Sequence, residues 1–181
     1  MKTDVLDVLK TRRSIRKFMP DQVLAKELDL VLEAGTYAPN GGGNQCFVIV
    51  AVQDPATVAQ LNKMNAQVLA KQAGKDPSEF CPYYGAPTVL VVFATDKAAT
   101  PIQDGSSVTC NLTNAAHAVG LGTCWVHRAK EMFESPEGKA LLQKWGLPET
   151  LQGITSVALG YPAGDTPAAP PRKAGLICKV G

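Results

Sequence analysis

Near the N-terminus four cations fall within six positions, in the run Arg12-Arg13-Ser14-Ile15-Arg16-Lys17. Guanidinium groups at this spacing, with a serine hydroxyl among them, suit a phosphate dianion, because their planar forks donate bidentate hydrogen bonds that a lysine point charge cannot copy. The competing use is a solvated helix end, whose cations complement the C-terminal dipole. A second basic pair, Arg172-Lys173, sits in a Pro/Ala-rich stretch where no regular element calls for it. Between the two lies APNGGGNQ, residues 38–45, whose three consecutive glycines suit unusual dihedrals or the close approach of another group.

Other chemistries find no matching pattern. Neither GxGxxG nor GxxxxGK[ST] occurs, and the Gly120/Gly122 pair follows a helical stretch rather than a strand. There is no GxSxG elbow for a hydrolytic serine, and His117 lies in an Ala-rich helical stretch where a core histidine is expected. Five cysteines (46, 81, 110, 124 and 178) form no CxxC and lie at no finger-like spacing from His117 or His127, so a structural zinc site is not expected. The thiols are read as reduced, and most of them as small buried hydrophobes.

The elements that must position these residues alternate between helical and strand signals. Thr3 can cap a short helix carrying Val5, Leu6 and Leu9. A second helix is expected after Pro20-Asp21, with Leu24, Leu28, Val31 and Leu32 on one face, stopping before Gly35 and Pro39. A buried strand, Cys46 to Val52, precedes a helix opened by Asp54-Pro55. Residues 74–87 read as a surface loop and Thr88 to Ala94 as a second buried strand. The strongest helical stripe follows, with Val108, Leu112, Ala115, Ala116 and Val119. Then come a short strand TCWV, a helix opened by Ser135-Pro136 and closed by Gly146, and a strand from about Gly153 to Tyr161. The tail is extended by its prolines and ends in LICKV, which can pair as a strand away from its own body.

Length and composition bound the result. At 181 residues the chain suits one domain with a substantial core. Its formal net charge of +2 is far from that of a dedicated nucleic-acid clamp, and aromatic residues are too few, at 6%, to interleave with the cations as an RNA-binding module would need. The longest apolar runs fall well short of the ~18 residues of a membrane-spanning helix. The opening MKTDVLDVLKTRR interleaves acids and bases, so no secretory signal is read there and a cytoplasmic location is expected.

Taken together, RRSIRKF, APNGGGNQ, NLTNAAHAVGLGTCWV and GITSVALGYPAGDTPAAPPRK resemble, in order and spacing along nearly the whole chain, the flavin-dependent nitroreductase family. The resemblance implies an α+β fold with a central mixed sheet flanked by helices and FMN bound at the interface of a homodimer. It further implies an FMN-binding domain over 1–164 and an extension over 165–181 that crosses to the partner. By position, Arg12 and Ser14 resemble phosphate ligands, with Arg172 and Lys173 completing that site. Arg13 resembles a contact to the ribityl chain or pyrimidine edge, and Arg16 the cation beside flavin N1 and O2. Pro39, Asn40 and Gly41 match a loop that reaches the flavin from the second subunit, Gln45 the glutamine after it, and Asn65 an asparagine at the pyrimidine edge. Trp125, Val126, His127 and Arg128 match the stretch against the reactive side of the isoalloxazine. One departure is that many members have Pro-Trp after the glutamine, whereas this chain has Cys46 and Phe47.

The implied activity is hydride transfer from NADH or NADPH through flavin N5 to a small organic acceptor, nitroaromatic, quinone or similar. Donor and acceptor would use one flavin face in turn, by a ping-pong mechanism. The cofactor carries that chemistry, so no catalytic side chain and no metal is needed. The alternative is a flavin protein with another role: storage or breakdown of flavin, activated-alkene reduction or dehalogenation.

Overall fold

The run TVLVVFA, Thr88–Ala94, is apolar at nearly every position, as a strand covered on both faces must be, and all seven residues are buried. In the computed structural model, which describes residues 4–181, this run is the second of four strands: β1 (Phe47–Val52), β2 (Thr88–Ala94), β3 (Gly122–Val126) and β4 (Gln152–Gly160). They lie in the order β1-β2-β4-β3, each pair antiparallel. The mixed character expected of the sheet is confined to one parallel bridge, between Ser14 and Thr123 beside β3.

Six helices cover the sheet: α1 (Val5–Thr11), α2 (Ala25–Thr36), α3 (Pro55–Ala73), α4 (Pro101–Ala118), α5 (Ala129–Glu134) and α6 (Pro136–Lys144). Because side chains alternate across a strand, β2 feeds two cores. Val89, Val91 and Phe93 pack with Leu61 and Met64 of α3, Phe133 of α5 and Leu142 of α6. Leu90 and Val92 pack with Val31 of α2 and with Val108 and Leu112 of α4. Phe93 and Phe133 meet edge to face, centroids 4.7 Å apart, an arrangement worth about 0.5–1.5 kcal/mol beyond the area it buries.

Local chemistry sets most boundaries. Asp54 caps α3 by accepting from Thr57 N–H at 2.9 Å, with Pro55 at the first helical position. Ser135 caps α6 through Gly138 N–H at 3.1 Å, ahead of Pro136. Thr3, expected as the first cap, lies outside the described residues; Asp4 caps α1, accepting from Leu6 N–H at 2.8 Å. α2 starts at Ala25 rather than just after Asp21, because the preceding residues are held extended: Gln22 Nε2 donates to the carbonyls of Gln53 and Pro87. Gly35 lies inside α2 rather than beyond its end. A Cβ there would sit 2.6 Å from Leu112 Cδ2, so the glycine permits the close approach of α2 to α4. α5 was not legible as a helix, since six residues are too few to display a period. The tail forms no strand, and every residue from Gly164 to Gly181 is exposed. Among the described residues no helix is long and apolar enough to cross a membrane.

Gly122 opens β3 where Ile15 packs over it; a Cβ there would lie 2.9 Å from Ile15 Cγ1 and 3.0 Å from its Cβ. Gly122→Ala must push Ile15 aside, an overpacking that costs about 1–3 kcal/mol. The expected outcome is a Tm lowered by about 2–10 °C in thermal unfolding followed by circular dichroism. An unchanged Tm would show that the Ile15 contact is not tight.

Candidate functional site

The cationic run is not a helix end in solvent. α1 stops at Thr11, Arg12 turns the chain into extended backbone, and Ile15 N–H donates to the Thr123 carbonyl at 2.8 Å. The segment thus lies beside β3, with Ile15 buried and Arg16 exposed. It borders two cavities. One, of about 280 Å³, is lined by Ser14, Arg16, Lys17 and residues 162–165. The other, of about 140 Å³, is lined by Arg12, Arg13, His117, Gly120 and Thr166. Arg13 Nη1 donates to the carbonyls of Lys10 and Arg12 at 2.9 and 2.5 Å, so part of its fork closes the end of α1. His117 is no core histidine: it is half-buried at the wall of the smaller cavity, its Nε2 2.9 Å from Thr11 Oγ1. Arg172 folds onto its own loop, Nη2 donating to the Pro170 carbonyl at 2.7 Å. Neither Arg172 nor Lys173 lines these two cavities.

A third cavity, of about 300 Å³, is lined by Phe80, Tyr84, Leu69, Arg128, Trp125 and His127, and the last two also line a fourth, of about 240 Å³, together with Ile102 and Ile154. Arg16 links the third to the cationic end, its guanidinium lying 5.8 Å from the Tyr84 ring centroid. A hydrogen bond to Tyr84 raises the Arg16 pKa above its already high value, so this cation is permanent. Cys124 lies on the same side, its thiol pushed up by burial and opposed by the nearby Arg16. The buried Trp125 Nε1 has no hydrogen-bond partner. Such a donor costs about 1–3 kcal/mol unless something supplies an acceptor. Asn65 is fully buried, with Nδ2 donating to the His127 carbonyl at 2.8 Å and Oδ1 accepting from Arg128 Nε at 3.0 Å. It therefore presents no surface to a pyrimidine edge and instead grips the Trp125–Arg128 stretch from behind.

The glycine loop is built at the other end of α4. Asn40 staples it, Oδ1 accepting from Gln45 N–H at 2.8 Å and Nδ2 donating to the Ala38 carbonyl at 3.0 Å. Gly41 N–H donates to Asp104 Oδ1 at 2.9 Å, and a Cβ at Gly41 would collide with Thr100 Oγ1. Pro39 and Gln45 are exposed, Gln45 in left-handed backbone at φ +52°. Thirteen residues of α4, about 20 Å at 1.5 Å per residue, separate Asp104 from His117. The loop therefore shares no phosphate pocket with Arg12 and Arg13 of its own chain. Phe47 stands at the start of β1, packed against the α2–α4 core.

Sequence reading missed Tyr83, Tyr84 and Ser156. The available signal is the aromatic pair before a glycine in CPYYG, within the stretch 74–87 that reads as a surface loop. Sequence reading also misplaced the thiols. Only Cys124 is buried; Cys46 is intermediate, and Cys81, Cys110 and Cys178 are exposed, on a Pro-rich loop, the outer face of α4 and the tail. Among the described residues no cluster of His, Cys, Asp and Glu could hold a metal ion.

Tyr83 supports the cavity wall through Ser156. Its hydroxyl donates to Ser156 Oγ at 3.0 Å, and Ser156 Oγ donates to the Val126 carbonyl at 3.2 Å. Burial pushes the Tyr83 phenol up to about 12, above the ordinary value near 10 of an unfolded chain. The unfolded state therefore loses this proton first, and the stability contributed by Tyr83 falls as pH rises from about 10 to about 12. Urea unfolding at pH 9 and pH 11 should show a steeper loss for the native chain than for Tyr83→Phe. Equal losses would mean that Tyr83 is not held neutral by burial.

A family model described as "Nitroreductase family" matches residues 9–161. The chain is similar to a crystal structure of a nitroreductase with bound FMN from Bacteroides fragilis, at 32% identity and TM-score 0.89, covering 99% of this chain and 100% of that one. A curated relative from Archaeoglobus fulgidus, named "Putative NADH dehydrogenase/NAD(P)H nitroreductase", is 29% identical over 166 residues, 88% of this chain and 86% of its own length. The fold is also that of an iodotyrosine deiodinase structure bound to FMN and 3-iodo-L-tyrosine, at 18% identity and TM-score 0.75, covering 98% of this chain and 100% of that one. With the match spanning most of the chain and all four strands in the fold of its relatives, this protein belongs to the nitroreductase family of flavoprotein oxidoreductases.

Proposed function

We propose that the chain binds FMN and transfers hydride from NADH or NADPH to a small planar organic acceptor, as a homodimer. The observation that carries this reading is the continuity of the site: a phosphate-suited cationic end at Arg12 and Ser14 passes through Arg16 to an aromatic-walled cavity at Tyr84 and Trp125. The residues fit the group. A basic end matches one terminal phosphate, and a cavity bordered by the Phe80 and Tyr84 rings matches a ring system. Support also comes from the relative with bound FMN and, for the donor, from the name of the Archaeoglobus relative.

In this reading Arg12 and Ser14 hold the phosphate, and Arg172 and Lys173 complete its charge when the tail is ordered. Arg13 closes α1 and steadies the segment. Trp125, Val126, His127 and Arg128 form the wall against the ring, with Asn65 behind them. Pro39, Asn40, Gly41 and Gln45 reach the ring from a second copy. That exchange explains the tail: Leu176 and Ile177 are 68% and 81% exposed in the single chain, while β1 leaves one edge of the sheet unpaired. Residues 1–164 then form the FMN-binding unit and 165–181 the crossing extension. A cytoplasmic location is part of the same proposal.

When bound, FMN supplies two-electron hydride chemistry at N5, with negative charge gathering on its N1–O2 edge. Arg16, fixed by Tyr84, stabilises that charge more in the reduced than in the oxidised cofactor, which is differential stabilisation by a preorganised cation. In this reading donor and acceptor would use one flavin face in turn, which would give ping-pong kinetics.

The protein should purify yellow, elute as a dimer and release FMN, not FAD, on denaturation. Colourless protein that cannot be reconstituted with FMN overturns the reading. For Arg16, a contribution of about 1.4–3 kcal/mol corresponds to a two-electron midpoint potential lower by about 30–60 mV in FMN-saturated Arg16→Ala. An unchanged potential with weakened FMN binding would reassign Arg16 to the phosphate.

A further inference from the structure

Three elements meet at one buried amide. Asn65, on α3, donates from Nδ2 to the His127 carbonyl at 2.8 Å, just beyond the end of β3, and to Met132 Sδ on α5 at 3.2 Å. Its Oδ1 accepts from Arg128 Nε at 3.0 Å. Both polar atoms of the side chain thus engage residues 127, 128 and 132, with the Tyr83 hydroxyl also interacting with the amide, and nothing of it reaches the surface. Between the two gripped groups the backbone does something unusual: Arg128 sits at φ +78°, ψ +11°, left-handed, as the cap of α5. A non-glycine residue persists there only where its surroundings hold it. Two residues before Arg128, the Val126 carbonyl is tied by Ser156 Oγ at 3.2 Å, itself held by the Tyr83 hydroxyl. The carbonyls of Val126 and His127 are therefore each anchored by a buried side chain, and His127 and Arg128 turn towards the aromatic cavity they line.

We propose that Asn65 is a positioning residue whose single amide clamps the 127–128 peptide and the Arg128 guanidinium together, holding Arg128 in its left-handed state and so preforming the wall of the cofactor cavity. The role attributed to Asn65 by resemblance, a contact at the pyrimidine edge, is replaced by one exerted through the backbone. With Nε committed to Asn65, Arg128 keeps its two Nη groups for whatever enters the cavity. The functional half of this proposal rests on the FMN reading above; the clamp itself does not.

The two halves are tested separately. On the apoprotein, urea unfolding of Asn65→Ala, Arg128→Gly and the double variant closes a double-mutant cycle. In the native background Asn65→Ala should reduce the folding equilibrium constant about tenfold or more, since it unpairs a buried carbonyl and a charged donor. In the Arg128→Gly background the same change should cost clearly less, because glycine occupies φ +78° without support and no guanidinium is left to hold. Additive effects overturn the clamp. Should Asn65→Ala fail to fold, Asn65→Asp takes its place, keeping the acceptor for Arg128 Nε while removing the donor to the His127 carbonyl.

The second measurement is FMN binding, followed by quenching of flavin fluorescence and by the visible absorption band. Folded Asn65→Ala or Asn65→Asp should bind FMN about tenfold more weakly, with a shifted band in the saturated protein. Energetic coupling with unchanged affinity and spectrum overturns the positioning role and leaves a purely structural one. Native protein that binds no FMN at all overturns the FMN reading, while the cycle on the apoprotein still decides the clamp.

Discussion

The backbone hydrogen bond from Ile15 N–H to the Thr123 carbonyl, 2.8 Å long, ties the arginine-rich segment to the edge of β3. Two further bonds continue the attachment, Met19 N–H to the Tyr161 carbonyl at 2.9 Å and Ala163 N–H to the Lys17 carbonyl at 3.0 Å. The segment is zipped between the side of β3 and the exit of β4, and the cavities at Arg12, Ser14 and Arg16 are the spaces this leaves. Without the zipper the same residues would trail from α1 as a hydrated basic end. The sequence 12–17 supplies the charges; their convergence comes from an edge strand accepting an irregular neighbour, helped by a glycine at 122 that lets Ile15 lie flat on the sheet.

Strain is distributed in the same way. Among the described residues three non-glycines hold positive φ: Gln45 at +52°, Tyr84 at +56° and Arg128 at +78°. Each borders the candidate site, Gln45 in the glycine loop and the other two in the aromatic cavity. Backbone of this kind gathers where a site must keep a shape the chain would not choose locally. In each case the surroundings that hold it are visible: Asn40 for Gln45, the turn closed from Ala86 N–H to the Tyr83 carbonyl at 2.9 Å for Tyr84, and Asn65 for Arg128.

What could be read from the sequence follows from how local each signal is. The buried strand Thr88–Ala94, the short strand TCWV, and the caps Asp54 and Ser135 depend on residues within a few positions of one another, and the structure places them accordingly. The start of α2 was not readable, because the extended path before it is imposed by Gln53 and Pro87, distant in sequence. The thiols misled for a related reason: Cys is often buried, but three of the five sit on a loop, a helix's outer face and the tail. At the site, the cations and the glycine loop announced themselves by density and by run. Tyr84 and Ser156 did not, since an aromatic before a glycine and a serine inside an apolar strand acquire meaning only when the topology brings them to β3.

The exposed tail carries a consequence for the single chain. Its last apolar residues stand in solvent, up to 96% exposed at Val180, and such a segment invites indiscriminate strand pairing between copies. Proline at 167, 170 and 171 precedes it, and proline donates no backbone hydrogen bond. Promiscuous pairing is therefore limited to the final few residues, and the prolines act as gatekeepers against ordered aggregation of newly made chains. The same rigidity lowers the conformational entropy of the tail as it stands free.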